Sequence, residues 1–548
     1  MSALKEAFRK LTTDDSLEGE ESQPQIPKEV EKPPSSPNPP RFLIIGAGSR
    51  GRAYAECIVK ASNGVVSAVA EPIAYKRDSL GQKYIWGEAG QPSEGQTFAN
   101  WKEFVDYETE RRRRADAGDD NVPPGVDGVF VCVLDEMHRD VVVGLAPLSL
   151  HVMCEKPLAC SFTDCLDMYR ALRPAQDSRV FSIGHVLRYS PHNRVLRRLL
   201  VEEKIIGEIA SVMHTEPVGW RHFTHSYVRG NWRNSQTTGP SLLTKSCHDI
   251  DLLMWLLSYP ARAGENGEEG ATHEPSTISS TGGLQFFKRN RKPAAAGNAT
   301  NCTSCPLGDE GCKYSAKHIY LGNHPKGLGG GNLDWPIDVV VPDIEDGYGT
   351  HAAREAAILS KLSEDYDGSA ATQSEVQSRN WFGRCVFESD NNVCDEQLVT
   401  VAWPEEERPD GTLLRPAKRA VFHMVAQTTK VCERFSIFYG EHGEVHADSD
   451  RIVVQEFATG RTRVYSPGVE DSGHGGGDLG LTRQFVLAVD DVKNHGRPAR
   501  EAQCERIGCT LEDALKSHAV VFAAEEARAE GKVIDWRSWW AAAVEKEL

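Results

Sequence analysis

Three glycines and one acidic residue form the clearest pattern with chemical meaning in this sequence. After the apolar run "FLII", the glycines have the spacing G-x-G-x-x-G, and an acidic residue ends the next apolar run, "VVSAVAEP", about 20 residues later. The first glycine of such a turn permits a tight bend, the second lets the backbone approach a pyrophosphate, and the third lets a helix pack on the strand. This set predicts a dinucleotide site. The residues expected to bind the cofactor there are Gly46, Gly48, Ser49, Arg50, Gly51 and Glu71.

Glu71 indicates which dinucleotide to expect. Its carboxylate would accept hydrogen bonds from both hydroxyls of an adenosine ribose and would repel a 2′-phosphate, which favours NAD over NADP. Lys76 and Arg77 follow closely and could hold a phosphate. NADP therefore stays open as the second cofactor.

A lysine and a histidine further along the chain could move protons. Lys156 follows an apolar strand in "CEKPLA", at the carboxyl end where ligands bind in parallel sheets, and a partly desolvated ammonium there can exchange a proton with a substrate hydroxyl. His248 lies in "KSCHDIDLLMWLL", where the apolar spacing indicates the beginning of a helix. The alternatives are a solvated surface lysine and a helix-capping or core histidine.

These candidate residues lie on a series of predicted strands and helices that alternate along the chain. The pattern predicts an α/β protein with an N-terminal NAD(P)-binding Rossmann domain, a doubly wound parallel sheet, over residues 41–184. Longer strand-like runs over 185–548 predict a C-terminal α/β domain with an open, mostly antiparallel sheet for substrate binding and oligomerisation. Polar stretches near 259–275 and 352–379 are expected to be surface insertions. Residues 1–40, rich in proline, serine and acidic residues, are expected to be a disordered leader.

Composition narrows the class of protein. The chain has 548 residues, which is too long for one hydrophobic core, and a net charge of −17 argues against nucleic acid and anionic membrane surfaces as partners. No apolar run reaches the length of a membrane span, and "MSALKEAFRK" lacks the apolar core of a signal peptide. A cytoplasmic enzyme with a small-molecule substrate is therefore expected.

Three cysteines in "NCTSCPLGDEGC" form a C-x-x-C pattern with a third cysteine. Cys302, Cys305 and Cys312 could hold a structural metal with His318 as a fourth ligand, could form a reactive thiol pair, or could be ordinary thiols. Only one C-x-x-C is present, so no metal is assigned.

A glycine-rich stretch, "GHGGGD", precedes a predicted helix near the end of the chain. Its glycines would let the backbone approach a ligand, and His474 would offer the substrate a polar contact. The alternative is a flexible loop in which Asp478 caps the helix.

Several separate motifs together resemble the Gfo/Idh/MocA oxidoreductase family. They are "GAGSRG", "CEKPLA", "HVLRYSPHNRVLRRLL…IGEIASV", "KSCHDIDLLMWLL" and "YGEHGEV", in this order over residues 41 to 465. The resemblance implies NAD or NADP in a Rossmann domain and a C-terminal domain that presents a sugar, cyclitol or related polyol. It implies that Lys156 and His248 are catalytic, and that a second subunit covers the open sheet in a homo-oligomer.

Four further residues are assigned within this frame. We expect His138, in "LDEMHRD", to border the nicotinamide ribose, and Glu155 to belong to the cofactor site. Arg188 could contact the substrate or pair with an acid, and Lys245 is a substrate candidate. The function expected is hydride transfer between nicotinamide and a sugar, cyclitol or polyol hydroxyl, by an NAD(P)-dependent oxidoreductase.

One departure from the family pattern keeps two alternatives open. Thr244 stands where the family's dehydrogenases commonly carry an aspartate, four residues before the histidine, and threonine cannot act as a carboxylate base. Lys245 adjoins it, but a neighbouring residue would point elsewhere. An NAD-dependent glycosidase that oxidises its substrate transiently is the first alternative, and the "HGGGD" loop resembles one in such enzymes. A non-catalytic NAD-binding regulator is the second.

Overall fold

The computed structural model describes residues 32–260, 271–468 and 473–545. Most of the expected leader, up to residue 31, lies outside the described residues, as does the centre of the polar stretch near 259–275. Within the described ranges, no helix has both the length and the apolar content that a membrane span requires.

Six parallel strands form the first sheet, in the order β3-β2-β1-β4-β5-β6. Their apolar runs are almost fully buried because helices cover both faces of the sheet. The strand order reverses between β1 and β4, so the ligand crevice lies at the carboxyl ends of these two strands. The strands are β1 Arg41–Ile45, β2 Val65–Ala70, β3 Thr97–Phe98, β4 Gly128–Val131, β5 His151–Cys154 and β6 Phe181–Ile183.

The second sheet has nine strands in the order β16-β15-β14-β13-β7-β12-β9-β8-β17, and only β7 and β12 pair in parallel. The expected fold class, a Rossmann sheet followed by a mostly antiparallel α/β unit, is confirmed. A small hairpin, β10 with β11, stands beside this sheet. The strands are β7 Ile209–Pro217, β8 Thr277–Gly283, β9 Glu396–Trp403, β10 Glu406–Glu407, β11 Leu413–Arg415, β12 Lys418–Val425, β13 Phe435–Gly440, β14 Gly443–Ala447, β15 Ile452–Glu456, β16 Thr462–Tyr465 and β17 Ile534–Asp535.

Helices connect and cover the two sheets. Two long apolar ones, α8 and α15, pack against each other, and α15 also packs on β8 of the second sheet. The helices are α1 Ser49–Ala61, α2 Ala74–Tyr84, α3 Trp101–Asp116, α4 His138–Leu145, α5 Phe162–Leu172, α6 Pro191–Arg197, α7 Trp220–Phe223, α8 Ser241–Leu257, α9 Ala316–Leu321, α10 Ile337–Val340, α11 His351–Ser363, α12 Gln373–Gln377, α13 Gly477–His495, α14 Ala499–Ala502, α15 Leu511–Glu530 and α16 Trp536–Trp540.

Residues 284–395 leave the second sheet between β8 and β9 and build a small core of their own. Ile319, Ile337 and Ile358 are fully buried in it. The polar stretch near 352–379 is therefore one part of a larger insertion. Its helix α11 buries one apolar side, which the polar composition of the stretch conceals.

The chain returns to the first sheet after β16. Phe485 of α13 packs its ring against Phe42 and Phe130, at centroid distances of 5.8 and 5.3 Å, and joins the Rossmann core. The segment 185–548 therefore contributes its helix α13 to the core around the first sheet. This return brings the "GHGGGD" stretch to the β1–α1 turn.

Candidate functional site

The glycine-rich turn between β1 and α1 has the shape that a dinucleotide needs. Gly46 has φ +94°, and a Cβ there would lie 2.5 Å from the carbonyl oxygen of Cys132; a Cβ on Gly51 would lie 1.9 Å from Gly46 O. Around Gly48, in contrast, no atom of the described residues lies within 4 Å of a built Cβ. Ser49 is exposed at the first position of α1. Two glycines are thus required by the turn itself, and the third leaves an open face for a ligand.

The carboxylate of Glu71 is buried against this turn. It accepts hydrogen bonds from the backbone N–H groups of Ala47 at 2.8 Å and Ile73 at 2.9 Å. Arg77, which with Lys76 was a candidate to hold a phosphate of NADP, donates to the carbonyl oxygen of Glu71 at 2.8 Å. Ile73 and Leu134 flank the crevice with 49% and 52% of their surface exposed, which offers apolar walls to a flat base.

Arg50 and Glu155, both expected to bind the cofactor, are occupied by protein partners. Arg50 Nε donates to Glu155 Oε1 at 2.7 Å, and its two Nη atoms donate to Asp478 at 2.9 Å each. Tyr54 donates to the same Glu155 oxygen at 2.5 Å, while Glu155 Oε2 accepts from the backbone N–H of Lys156 at 2.9 Å. Arg50 also holds the pKa of Asp478 well below its usual range. These residues therefore position Lys156 and the start of α13.

Lys156 bridges the two halves of the molecule. Its Nζ donates to the carbonyl oxygen of Thr244 in α8 at 2.7 Å and lies 5.6 Å from the ring centroid of Trp232. The Thr244 hydroxyl bonds back to the carbonyl of Pro240 at 3.2 Å. The ammonium therefore stands at the carboxyl end of β5, as expected, and the threonine hydroxyl is satisfied within its own helix.

His248 is buried and held by an arginine that the sequence did not indicate. Its Nε2 lies 2.7 Å from Arg434 Nη2 and 3.2 Å from Asp249 Oδ2. If Nε2 accepts from Arg434, which can only donate, the ring proton resides on Nδ1, which is buried without a partner among the described residues. Burial lowers the pKa of His248 well below its usual value, with Arg434 and Lys156 acting in the same direction. The ring is a neutral hydrogen-bond donor.

The helix that carries His248 begins earlier than expected. Its first residue is Ser241, after Pro240, so Asp249 lies within the helix and not in its first turn. Asp249 is fully buried and accepts hydrogen bonds from Arg434 Nε at 2.5 Å and His214 Nε2 at 3.1 Å. Its carboxylate anchors these two groups.

Lys245 belongs to the same buried network. Its Nζ lies 3.0 Å from Glu216 Oε1 and 3.0 Å from Cys432 Sγ, and Glu216 Oε2 lies 3.0 Å from Arg434 Nε. Cys432 Sγ is in turn 3.7 Å from Nδ1 of His222. Burial raises the pKa of the Cys432 thiol, and nearby Lys245 opposes that rise. Glu216, Cys432 and Arg434 lie in no recognisable motif. Glu216 belongs to β7, whereas Cys432 and Arg434 lie in the loop between β12 and β13, more than 200 residues later.

His474 stands across from His248 as an imidazole oriented by a carboxylate. The two ring centroids lie 6.1 Å apart, and His474 Nδ1 is 3.2 Å from Asp478 Oδ1. If Nδ1 donates to that carboxylate, Nε2 is left as an acceptor. Gly476, and not Asp478, is the N-cap of α13. His474 is one-third exposed, so a ligand can reach it.

Comparison with known proteins places this geometry in a family. Residues 40–185 match the oxidoreductase family with an NAD-binding Rossmann fold, and residues 198–264 match its C-terminal alpha/beta domain. These two segments match both domains of the Gfo/Idh/MocA family. The matched Rossmann domain is an NAD-binding one, as the turn and Glu71 predicted.

Individual relatives match only in part. A 2,7-anhydro-N-acetylneuraminate hydratase of Escherichia coli (strain K12) is 33% identical over 132 residues, which cover 24% of this chain and 34% of the relative. A 1,5-anhydro-D-fructose reductase of Ensifer adhaerens is 28% identical over 227 residues, covering 41% and 58%. The matched part of the chain thus spans about a third to three fifths of the length of these two relatives. A levoglucosan dehydrogenase, in complex with NADH and levoglucosan, has a TM-score of 0.53 at 14% identity, covering 91% of this chain and 99% of that one; it shows the fold alone.

Two further residues expected at the site, Arg188 and His138, are buried. Arg188 donates to both carboxylate oxygens of Asp251 at 2.7 Å and to the carbonyl of Gly508 at 2.9 Å. Of the two alternatives given for Arg188, the structure shows the pairing with an acid. His138 is fully buried, with Nδ1 2.7 Å from the carbonyl of Pro157, just after Lys156. It supports that segment from behind.

The cysteine cluster of this family member does not assemble ligands. Cys302, Cys305 and Cys312 are free thiols, and Arg229 Nη2 lies 3.4 Å from Cys302 Sγ, where it disfavours a cation. Over the described residues, potential ligand atoms lie within 4.8 Å of one another in two buried groups that share one histidine. These groups are His185, Cys247 and His518, and His185, Asp251 and Cys509.

Proposed function

We propose that this protein is an NAD-dependent oxidoreductase that transfers hydride between nicotinamide and a hydroxyl-bearing carbon of a sugar, cyclitol or related polyol. The observation that carries the proposal is the meeting of Lys156, His248 and His474. Lys156 follows β5, His248 lies in α8 and His474 precedes α13. The Arg50–Glu155 and Arg50–Asp478 pairs tie the first and the third of these segments to the glycine-rich turn. The reductase and hydratase named above support a sugar-like substrate.

The proposed division of labour follows from the state of each group. When bound, NAD supplies the hydride acceptor. The Lys156 ammonium donates a hydrogen bond to the substrate oxygen and stabilises the negative charge that develops on it. His474 Nε2 takes the hydroxyl proton while Asp478 stabilises the resulting imidazolium, and the His248 Nδ1–H donates a second hydrogen bond. His474 thus supplies the base that the aspartate missing at Thr244 would have provided.

Purified protein and three variants test this proposal against a panel of sugars, anhydro sugars and cyclitols supplied with NAD. We expect stoichiometric NADH from at least one substrate, and a fall in kcat of about 10²- to 10⁴-fold in Lys156→Ala and in His474→Asn. His495→Asn is the matched control, because this exposed histidine lies at the other end of α13. Formation of NADH at wild-type rates in His474→Asn would refute the assignment of the base.

A reaction that recycles its NAD is the second candidate, and Thr244 favours it. Its hydroxyl is bonded to Pro240 O, and one relative is named as a hydratase rather than a dehydrogenase. Such an enzyme would turn over anhydro sugars or glycosides with substoichiometric NAD and release no NADH, and it would exchange a carbon-bound proton with deuterated solvent. Binding of NADH with neither reaction would instead identify a non-catalytic regulator.

We also propose a homo-oligomer formed through the second sheet. Its open face exposes apolar side chains on three strands: Met213 with 52% of its surface exposed, Leu398 with 39% and Phe435 with 39%. An exposed apolar patch of this kind is typical of a protein–protein interface. Sedimentation velocity should show a dimer or larger species, and Met213→Lys should shift it toward the monomer. A monomeric wild type would refute this proposal.

A further inference from the structure

One segment of the insertion runs along the mouth of the crevice between the two halves. We call residues 332–346 the strap. It is anchored in the core of the insertion by Ile337 and Val340 of helix α10, both buried. From there its side chains touch the rest of the molecule at three places, through Trp335, Asp338 and Asp346, and these follow one another in chain order.

The first contact is at the catalytic end of the crevice. The ring of Trp335 packs edge-on against His222, with centroids 5.0 Å apart. His222 is half-buried beside Cys432, and the charges of Lys245 and Lys156 add to desolvation in lowering its pKa. The strap therefore begins next to the groups proposed to hold the substrate.

The second contact is at the helix that follows the glycine-rich turn. Asp338 Oδ2 pairs with Arg52 Nη2 at 3.1 Å, and Arg52 is one turn of α1 beyond Gly48. The other oxygen, Asp338 Oδ1, is buried and has no hydrogen-bond partner among residues 32–260, 271–468 and 473–545. A buried acceptor without a donor is costly, so it favours a ligand or water that donates to it.

The third contact is at the opposite end, beside the strand that carries Glu71. Tyr75, in the first turn of α2, donates to Asp346 Oδ2 at 2.5 Å. Glu71 is only four residues earlier, and its carboxylate was assigned to the adenosine ribose. The strap therefore ends where the adenosine half of the dinucleotide is expected.

We propose that the strap is part of the dinucleotide site: it closes the crevice over bound NAD and slows its release. Its three contacts correspond in order to the nicotinamide end, the pyrophosphate at α1 and the adenosine end. A dinucleotide cannot leave such a crevice sideways until Asp338 and Asp346 separate from the Rossmann domain. This inference rests on NAD binding and not on the substrate proposed above.

The rate of NADH release tests the strap. The full-length protein is loaded with NADH, whose fluorescence first confirms binding, and is then mixed with excess NAD in a stopped-flow instrument. We expect the dissociation rate constant to rise about fivefold in Tyr75→Phe and in Asp346→Asn, because each loses a hydrogen bond to a charged group. The double variant should show no further rise, since both changes remove one contact.

Glu355→Gln is the matched control. It removes the same charge from the insertion, but Glu355 is an exposed residue of α11 and lies outside the strap; its NADH release should equal that of the wild type. Dissociation unchanged in both test variants, or equally fast in the control, would overturn the proposal.

Hydrogen exchange provides a measurement that needs no variant. Peptides covering 332–346 should become protected when NADH binds, and exchange unaffected by NADH in these peptides would equally refute a closing strap. If NADH does not bind at all, the cofactor assignment fails first, which the fluorescence step distinguishes.

Discussion

Replacing Gly48 and Gly51 by alanine, one at a time, separates the ligand-facing role of the glycine-rich turn from its structural role. Gly48 has φ −74° and open space around its built Cβ, within the part of the chain that the structure describes. Alanine adopts this conformation without strain. The free energy of unfolding without cofactor should therefore stay the same or rise by about 0.5 kcal/mol, because alanine restricts the unfolded chain.

NAD affinity should respond in the opposite way. The added methyl of Gly48→Ala occupies the face on which the pyrophosphate approaches the backbone, so we expect the Kd for NADH to rise at least tenfold, about 1.4 kcal/mol. In Gly51→Ala the methyl would lie 1.9 Å from Gly46 O, whereas ordinary van der Waals contact begins near 3.4 Å. Strand and helix must separate, which should cost about 2 to 3 kcal/mol of stability despite the better helix propensity of alanine.

Urea denaturation of the cofactor-free protein and titration of NADH fluorescence measure the two effects independently. Wild-type NADH affinity in Gly48→Ala would refute the placement of the pyrophosphate over this turn. Unchanged stability in Gly51→Ala would refute the tight packing between α1 and β1. If both variants failed to fold, the assignment of Gly48 to cofactor binding and of Gly51 to packing would be wrong.

Three further outcomes follow from buried polar groups. Glu71→Ala should raise the affinity for NADP relative to NAD at least tenfold by calorimetric titration, and should lose about 1 to 2 kcal/mol of stability because two N–H groups lose their acceptor. Arg188→Met should lower the free energy of unfolding by about 3 to 5 kcal/mol, since the buried Asp251 loses its arginine and keeps only His185 Nδ1 at 3.0 Å, with KM unchanged. Burial lowers the pKa of His151 and His225 to about 3, so the unfolded chain binds their protons below pH 6.5 while the folded chain does not. Stability should fall by about 1.4 kcal/mol per histidine for each pH unit from 6.5 toward 3, and His225→Phe should flatten that slope in Tm measurements.

The parts that could be predicted are those encoded in one contiguous stretch. The β1–α1 turn, its acidic partner Glu71 and the strand before Lys156 each carry their signal in a few neighbouring residues, because the local backbone and the apolar run dictate them. NAD and the Gfo/Idh/MocA family followed from these stretches and are confirmed by the comparisons.

The roles of residues whose partners are distant in the chain could not be predicted from such local patterns. Arg188 was a candidate for substrate because its sequence neighbours say nothing of Asp251, which lies 63 residues away. Arg50 was assigned to the cofactor for a similar reason, since its partner Asp478 lies 428 residues away. Charge pairs of this kind depend on which elements pack together, and no local pattern reports that.

By itself, the sequence determined the strand–turn–helix unit that binds a dinucleotide, the position of Lys156 at a strand end and the separation into a parallel and a mostly antiparallel sheet. These follow from local spacing and from the periodicity of apolar residues. Only the tertiary structure decided that α13 returns to the first sheet, that His474 and Asp478 face His248, and that the strap crosses the crevice. Each of these depends on burial shared between segments hundreds of residues apart, and that burial exists only once the chain has folded.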